Sequence, residues 1–142
     1  MTLSSAPGLL EAAVPDLNGV RILVVEDCWH VGSAVKSLLQ ACGADVAGPV
    51  ATTAAAEHLI CEQTPDVALV DFCLRGGERA DALIGQLHDR GVRVIVITGY
   101  AALAPGKAAV VLQKPIDEAQ LLEYLRLVTV QKSLRQEKAP TP

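Results

Sequence analysis

Short aliphatic runs that alternate with helical repeats constrain the fold of this chain more than any other feature. The runs cover residues 21–27, 45–50, 67–71, 93–98 and 109–113. Between them, apolar residues recur every three or four positions, as Val31, Val35 and Leu38 do, which is typical of the buried face of a helix. Buried strands that alternate with helices predict a parallel sheet covered on both faces. The sequence therefore predicts a doubly wound α/β fold with five strands.

Residues that favour helix ends lie between the strand runs. Gly43 and Gly91 are placed to end the first and third helices, and Thr52 or Thr53 is placed to begin the second. The third helix is predicted over residues 79–90.

Composition excludes several classes of protein. The length of 142 residues suits one domain, and the net charge of −4 with only 3% aromatic residues disfavours a nucleic-acid binder. No apolar run approaches the roughly 18 residues that a membrane span needs, and no signal peptide is recognisable. We expect a cytoplasmic protein that binds neither nucleic acid nor membrane. Its parts are expected to be a mobile N-terminal extension (1–18), a folded domain (19–130) and the end of the last helix with a tail (131–142).

Four of the predicted strands are followed, or ended, by polar residues. Glu26 and Asp27 end the first strand run, Asp71 ends the third, and Thr98 ends the fourth. Lys114, which precedes Pro115, follows the fifth. Ligands of open α/β sheets bind at the carboxyl ends of the strands, so these side chains are expected to converge there.

The residue types at this edge favour phosphoryl transfer. Clustered carboxylates repel one another unless a cation lies among them, and oxygen ligands suit Mg²⁺. An aspartate such as Asp71 can be a nucleophile that forms an aspartyl-phosphate, while Lys114 and the Thr98 hydroxyl can hold phosphoryl oxygens. Gly99 leaves room for the phosphate, and Pro115 is a candidate for a cis peptide bond that turns Lys114 inward.

The combination of these residues resembles the receiver domain of two-component response regulators, over roughly residues 19–130. The resemblance implies a flavodoxin-like, five-stranded parallel sheet in the order 2-1-3-4-5. It also implies that Asp71 takes a phosphoryl group from a phosphohistidine on a sensor histidine kinase or a histidine phosphotransfer protein.

The same resemblance implies a role for each residue of the site. Asp27, Asp71 and the backbone carbonyl of Cys73 would bind Mg²⁺, with Glu26 in support. Thr98 and Lys114 would contact the phosphoryl group. The chain would then be a signalling protein that catalyses only its own phosphorylation and dephosphorylation, not an enzyme with a separate substrate.

The segment before the fifth strand departs from the usual receiver. Lys114 follows Thr98 by only 16 positions, and Pro105 with Gly106 interrupts the link, so the fourth helix of the receiver is expected to be short or disordered. Val111 stands where receivers usually carry an aromatic residue.

Thr98, Gly99 and Tyr100, together with the short link, are similar to a mostly stand-alone class of receivers that is marked by a Phe-Ala-Thr-Gly-Tyr motif. Val96 and Ile97 replace its Phe-Ala pair. In that class, Tyr100 would replace the missing aromatic residue, and the link would become ordered on phosphorylation.

Three other interpretations remain open from the sequence. A haloacid-dehalogenase-like phosphatase would need a second aspartate two positions after Asp71, where this chain has Cys73. A pseudo-receiver that acts without phosphorylation would not need the complete set of site residues. The chain could also be the receiver part of a larger hybrid kinase or regulator.

The last helix has apolar residues on two sides. It is predicted to begin at Asp117 and to continue past residue 130. Its core stripe holds Leu121, Leu122, Leu125 and Val128, whereas Tyr124 and Leu127 lie on another side. This second side predicts a homodimer or partner surface.

Overall fold

The computed structural model of the protein describes residues 15–74, 77, 79–99 and 110–138, with side chains up to residue 130. Nine elements follow one another along the described chain. They are β1 (Arg21–Val25), α1 (Trp29–Ala41), β2 (Asp45–Val50), α2 (Thr53–Glu62), β3 (Val67–Asp71), α3 (Asp81–Asp89), β4 (Arg93–Thr98), β5 (Val110–Gln113) and α4 (Glu118–Lys138).

The five strands form one parallel sheet in the order β2-β1-β3-β4-β5. This order and the flanking helices confirm the predicted flavodoxin-like fold. The helix expected between β4 and β5 falls on residues 100–109, which lie outside the described residues.

Among the described residues, two helices lie against each face of the sheet. Ala56 and Ile60 of α2 pack with Leu83 and Leu87 of α3 on one face. On the other face, α1 and α4 contribute the buried side chains Val35, Leu39, Leu121 and Leu125. Because both faces are covered, every residue of β3 is buried, which explains why its sequence is continuously apolar up to Asp71.

The predicted helix ends are found with small shifts. The Thr52 hydroxyl accepts a hydrogen bond from the backbone N–H of Ala55 at 3.1 Å, so Thr52 is the cap of α2. The third helix starts at Asp81, two residues later than predicted, because Arg79 forms an isolated bridge with Cys73 instead.

Residues just before the domain boundary predicted at residue 19 also belong to the core. The Leu17 side chain is fully buried, and its backbone N–H donates to the carbonyl of Cys42 at 2.8 Å. Leu17 packs with the cluster between the sheet and α1 and α4. Among the described residues, no helix is both long and apolar enough to cross a membrane.

Candidate functional site

Three carboxylates meet where β1 and β3 end. The two strands are neighbours in register, with Val25 opposite Val70, so the residues that follow them are brought together. Glu26, Asp27 and Asp71 each offer an oxygen, and these oxygens lie within 4.8 Å of one another. The Glu26 and Asp71 side chains are buried and Asp27 is half-buried.

Lys114 approaches this cluster from the far side of β4. Its Nζ atom donates a hydrogen bond to Asp71 Oδ2 at 3.1 Å and lies 3.4 Å from Glu26 Oε1. The backbone N–H of Lys114 donates to the carbonyl of Thr98 at 2.7 Å, which fixes the lysine at the end of β5. The Lys114–Pro115 peptide bond is cis, as the sequence predicted.

Burial and charge change the acidity of the site. Burial, together with the hydrogen bond and charge of the neighbouring Asp71, raises the pKa of Glu26 from its ordinary 4.5 to about 7, although the N–H of Cys28 and the charge of Lys114 act in the opposite direction. For Lys114, burial lowers the pKa, but the hydrogen bond and charge of Asp71 and the charge of Glu26 outweigh it and leave the pKa raised. Lys114 is therefore an ammonium group at neutral pH.

The two oxygens of Asp71 have different partners. Oδ2 accepts from Lys114, and Oδ1 accepts from the backbone N–H of Cys73 at 3.3 Å. The sequence assigned the carbonyl of Cys73 to metal binding, and the structure adds that its N–H holds the carboxylate. The side chains of Cys73 and Cys28 are exposed beside the site.

Thr98 and Gly99 end β4 at the same edge. Asp71 lies opposite Ile97 in the register of the sheet, so Thr98 is one position further along the neighbouring strand. The Thr98 side chain is buried. A Cβ atom added to Gly99 would meet nothing within 4 Å among the described residues. Tyr100 lies outside the described residues.

The carboxylate cluster has the properties of a divalent cation site. Glu26 Oε1 is buried and, within the described part of the chain, accepts no hydrogen bond, although Lys114 Nζ is 3.4 Å away. Three acids lie together and Lys114 contacts two of them, Glu26 and Asp71, so the cluster keeps excess negative charge, and all of the donors are hard oxygen atoms. These residues fit Mg²⁺.

Two features of the site were not visible in the sequence pattern. The backbone N–H of Cys28 donates to Glu26 Oε2 at 3.1 Å, which closes a tight turn between β1 and α1. Glu26 also shares Lys114 with Asp71, whereas the sequence assigned Lys114 only to the phosphoryl group. Neither contact could be predicted from the sequence, because the spacing of apolar residues in strands and helices depends on burial and not on how polar side chains pair.

The second apolar side predicted for the last helix is exposed in part. Leu127 is 46% exposed and Val130 is 48% exposed, on the side of α4 that faces away from the sheet. Tyr124, in contrast, is half-buried and packs against the core, since it lies one helical turn before the core residue Val128. The exposed apolar surface therefore contains Leu127 but is not centred on Tyr124.

A groove lies beside the site, between α1 and the start of α4. Its volume is about 610 Å³, and its walls include Val31, Ala34 and Leu38 of α1 with Pro115 and Ile116 after β5. Lys114 also lines this groove and is the residue that the groove shares with the carboxylate site.

Comparison with known proteins agrees with this geometry. No protein-family model matches the sequence, and no curated protein sequence matches it either. A CheY-like response regulator receiver domain from Methanospirillum hungatei has a similar structure, with 26% identity, a TM-score of 0.72, and coverage of 82% of this chain and 98% of that one.

The response regulator PhyR from Brucella abortus is also similar. It shares 23% identity with a TM-score of 0.75, over 94% of this chain and 56% of PhyR. PhyR from Bartonella quintana, described as an anti-anti-sigma factor, gives a TM-score of 0.76 at 17% identity over 55% of its length. The chain thus spans about half of the PhyR proteins, and its fold is that of a CheY-like response-regulator receiver domain.

Proposed function

We propose that this protein is a phosphoacceptor receiver protein of a two-component phosphorelay. The observation that supports it most is the contact of Lys114 Nζ with Asp71 Oδ2 at 3.1 Å inside a cluster of three carboxylates. An isolated strand-end aspartate is common in α/β proteins, but a buried one that shares an ammonium group with a second buried acid is suited to hold a phosphoryl group.

In the proposed reaction, a carboxylate oxygen of Asp71 attacks the phosphorus of a phosphohistidine. A P–O bond forms as the P–N bond breaks, and the imidazole leaves with the electron pair. Lys114 and the Thr98 hydroxyl hold phosphoryl oxygens, and Gly99, which has no side chain, leaves room for the group. Asp27, Asp71 and the carbonyl of Cys73, with Glu26 in support, would hold Mg²⁺, which when bound would supply positive charge for the transferred group.

The donor is proposed to be a sensor histidine kinase or a histidine phosphotransfer protein in the cytoplasm, and other proteins read the change. The exposed side of α4 at Leu127 and Val130 is one surface where such a partner, or a second copy of the chain, would dock. We also keep the proposal that Tyr100 serves as the aromatic switch of the Phe-Ala-Thr-Gly-Tyr class, since Val111 in β5 is 41% exposed and not aromatic.

Intact-mass measurement tests the proposal. The full chain is incubated with Mg²⁺ and acetyl phosphate, and an adduct of one phosphoryl group, about 80 Da, is expected. Asp71→Asn should give no adduct. Asp81→Asn is the matched control, because Asp81 is an exposed acid at the start of α3, and it should be phosphorylated as the wild type is. An adduct that persists in Asp71→Asn contradicts the proposed mechanism.

A pseudo-receiver is the second candidate. The likeness of this chain to the PhyR proteins concerns the fold alone, and a receiver fold can also serve as a docking module that is not phosphorylated. The same experiment separates the two candidates. A wild-type chain that stays unmodified at every Mg²⁺ concentration would favour a docking module that acts without phosphorylation. A haloacid-dehalogenase-like phosphatase is disfavoured, since Cys73 occupies the position of its second aspartate.

A further inference from the structure

Strand β2 contains a bulge next to the carboxylate cluster. Leu23 of β1 lies opposite Ala47, but Val25 lies opposite Val50, so β2 uses one more residue than β1 over this interval. Gly48 lies in the bulge with a φ of +97°, and a Cβ atom there would be 2.6 Å from the carbonyl oxygen of Val24. Only glycine can combine this backbone angle with so close an approach.

The bulge brings Pro49 against the first turn of α1. A Cβ atom on Gly32 would lie 2.8 Å from Pro49 Cβ and 3.1 Å from Pro49 Cγ, and 3.7 Å from Glu26 Cβ. Carbon atoms do not approach to 2.8 Å without displacement. Glycine is a poorer helix former than alanine, so Gly32 destabilises α1 slightly. The lack of space for any side chain beside Pro49 explains why glycine nevertheless stands at this position.

The same bulge and the same helical turn hold Glu26. The backbone N–H of Glu26 donates to the carbonyl of Val50 at 2.8 Å, directly after Pro49. On the other side, Glu26 Oε2 accepts from the N–H of Cys28, and the carbonyl of Cys28 accepts from Gly32 at 2.9 Å. A shift of α1 away from β2 would therefore move the turn that contains Glu26 and Asp27.

We infer that the contact between Gly32 and Pro49 sets the position of the acidic turn, and that it thereby sets the Mg²⁺ affinity of the site. Gly32 and Pro49 are positioning residues, since neither would touch the ion. The inference rests on the proposed function, because it takes the carboxylate cluster to be a Mg²⁺ site.

Mg²⁺ titration of the full chain tests this inference. The chain has one tryptophan, Trp29, which is 70% exposed and two positions after Asp27, so its fluorescence is a local probe of the turn. Gly32→Ala should weaken Mg²⁺ binding about 10-fold, as is usual when support of a metal ligand is lost. Gly85→Ala is the matched control, because a Cβ atom on this α3 glycine meets nothing within 4 Å, and it should leave the dissociation constant unchanged.

A compensating variant separates positioning from simple loss of stability. In the double variant Gly32→Ala with Pro49→Gly, the new methyl group has room, and Mg²⁺ affinity should return to within about 3-fold of the wild type. Thermal unfolding without Mg²⁺, measured on the same variants, gives the structural cost separately.

Each outcome decides between the alternatives. A folded Gly32→Ala variant with wild-type Mg²⁺ affinity overturns the inference, and so does a double variant that binds Mg²⁺ no better than Gly32→Ala. If Gly32→Ala does not fold, Mg²⁺ affinity of the double variant decides, and an affinity about 10-fold or more below wild type overturns the inference. A wild-type chain that fails to bind Mg²⁺ at all overturns the proposed metal site itself, and with it this inference.

Discussion

At the edge of the sheet where the strands begin, an exposed acid is paired with an arginine, whereas at the edge where they end, three carboxylates lie together and Lys114 contacts two of them. At the first edge, Arg21 Nη1 lies 2.8 Å from Asp45 Oδ2, and the Asp45 side chain is 64% exposed. The backbone N–H of Arg21 donates to Asp66 Oδ2 at 2.9 Å. The charges of this edge are thus paired and the Asp45 carboxylate is in contact with water, whereas Arg21 Nε is buried and has no hydrogen-bond partner in the described part of the chain.

At the second edge, the carboxylates of Glu26 and Asp71 are almost completely buried and share Lys114. Burial and mutual repulsion raise the pKa of Glu26 to about 7, which is a cost to the folded protein at neutral pH. One edge of the sheet thus holds paired charges, whereas the other keeps excess negative charge that a bound cation would offset.

Removal of the Lys114 ammonium group should give the largest change in the free energy of unfolding. Lys114→Met leaves Glu26 and Asp71 buried without their shared partner, and we expect it to lower the free energy of unfolding by about 2–3 kcal/mol at pH 8 without Mg²⁺. Urea denaturation measures this. Arg21→Met is the matched change at the other edge and should cost about 1 kcal/mol or less, because its partner Asp45 is in water. Equal costs at the two edges would contradict the comparison.

The second largest difference between the two edges is expected in the pH dependence of the free energy of unfolding. The pKa of Glu26 is about 7 in the folded protein against an ordinary 4.5, so the folded protein binds more protons than the unfolded chain between these values. The free energy of unfolding should therefore fall as pH rises from about 4.5 to 7, with a contribution of about 3 kcal/mol at most.

Glu26→Gln removes that ionisation, so it should flatten the slope of the free energy of unfolding and make the protein more stable at pH 8. Urea denaturation in EDTA at several pH values measures the slope. Asp45→Asn serves as the control and should leave the slope as it is in the wild type. A Glu26→Gln variant that retains the wild-type slope would show that Glu26 is not its source.

Mg²⁺ should stabilise the folded protein through the carboxylates at the edge where the strands end, and not through the acids at the other edge. At a concentration ten times its dissociation constant, Mg²⁺ should raise the free energy of unfolding by about 1.4 kcal/mol, since it binds the folded state alone. Thermal unfolding with and without Mg²⁺ measures this. Asp27→Asn should lose most of the gain, whereas Asp45→Asn should keep it. A gain that survives in Asp27→Asn would place Mg²⁺ elsewhere.

The smallest effect is expected from the exposed pair itself. Asp45→Asn breaks the ion pair with Arg21 and should cost about 0.5 kcal/mol or less, a cost that disappears in high salt because the Asp45 side chain is exposed. Urea denaturation at low and high salt checks it. A larger, salt-independent cost would mean that this edge also holds a buried, functional charge.

Much of the fold could be predicted because apolar runs and the polar residues that end them mark most of the strands in the sequence. The bounds predicted for β2, β3 and β4 agree with the structure, since apolar runs end abruptly at Asp71 or at Thr98. The start of α3 was predicted two residues early, because Arg79 and Ala80 suit a helix but bond to the chain after β3: the Ala80 N–H donates to the carbonyl of Phe72.

The candidate site was predicted in its residues but not in its contacts. Strand ends placed Glu26, Asp27, Asp71, Thr98 and Lys114 at one edge, because parallel strands share their direction. Gly48 and Pro49 lie inside β2 and form its bulge. Their role depends on the approach of α1, which no pattern within β2 could reveal.

The sequence by itself determined the alternation of strands and helices, the order of polar residues at the strand ends and the aliphatic core, because each depends on periodicity along the chain. Only the tertiary structure decided that Lys114 reaches both Glu26 and Asp71, that Leu17 belongs to the core, and that Pro49 leaves no room for a side chain at Gly32. These are contacts between residues distant in sequence, and burial, distance and charge are fixed only when the elements pack together.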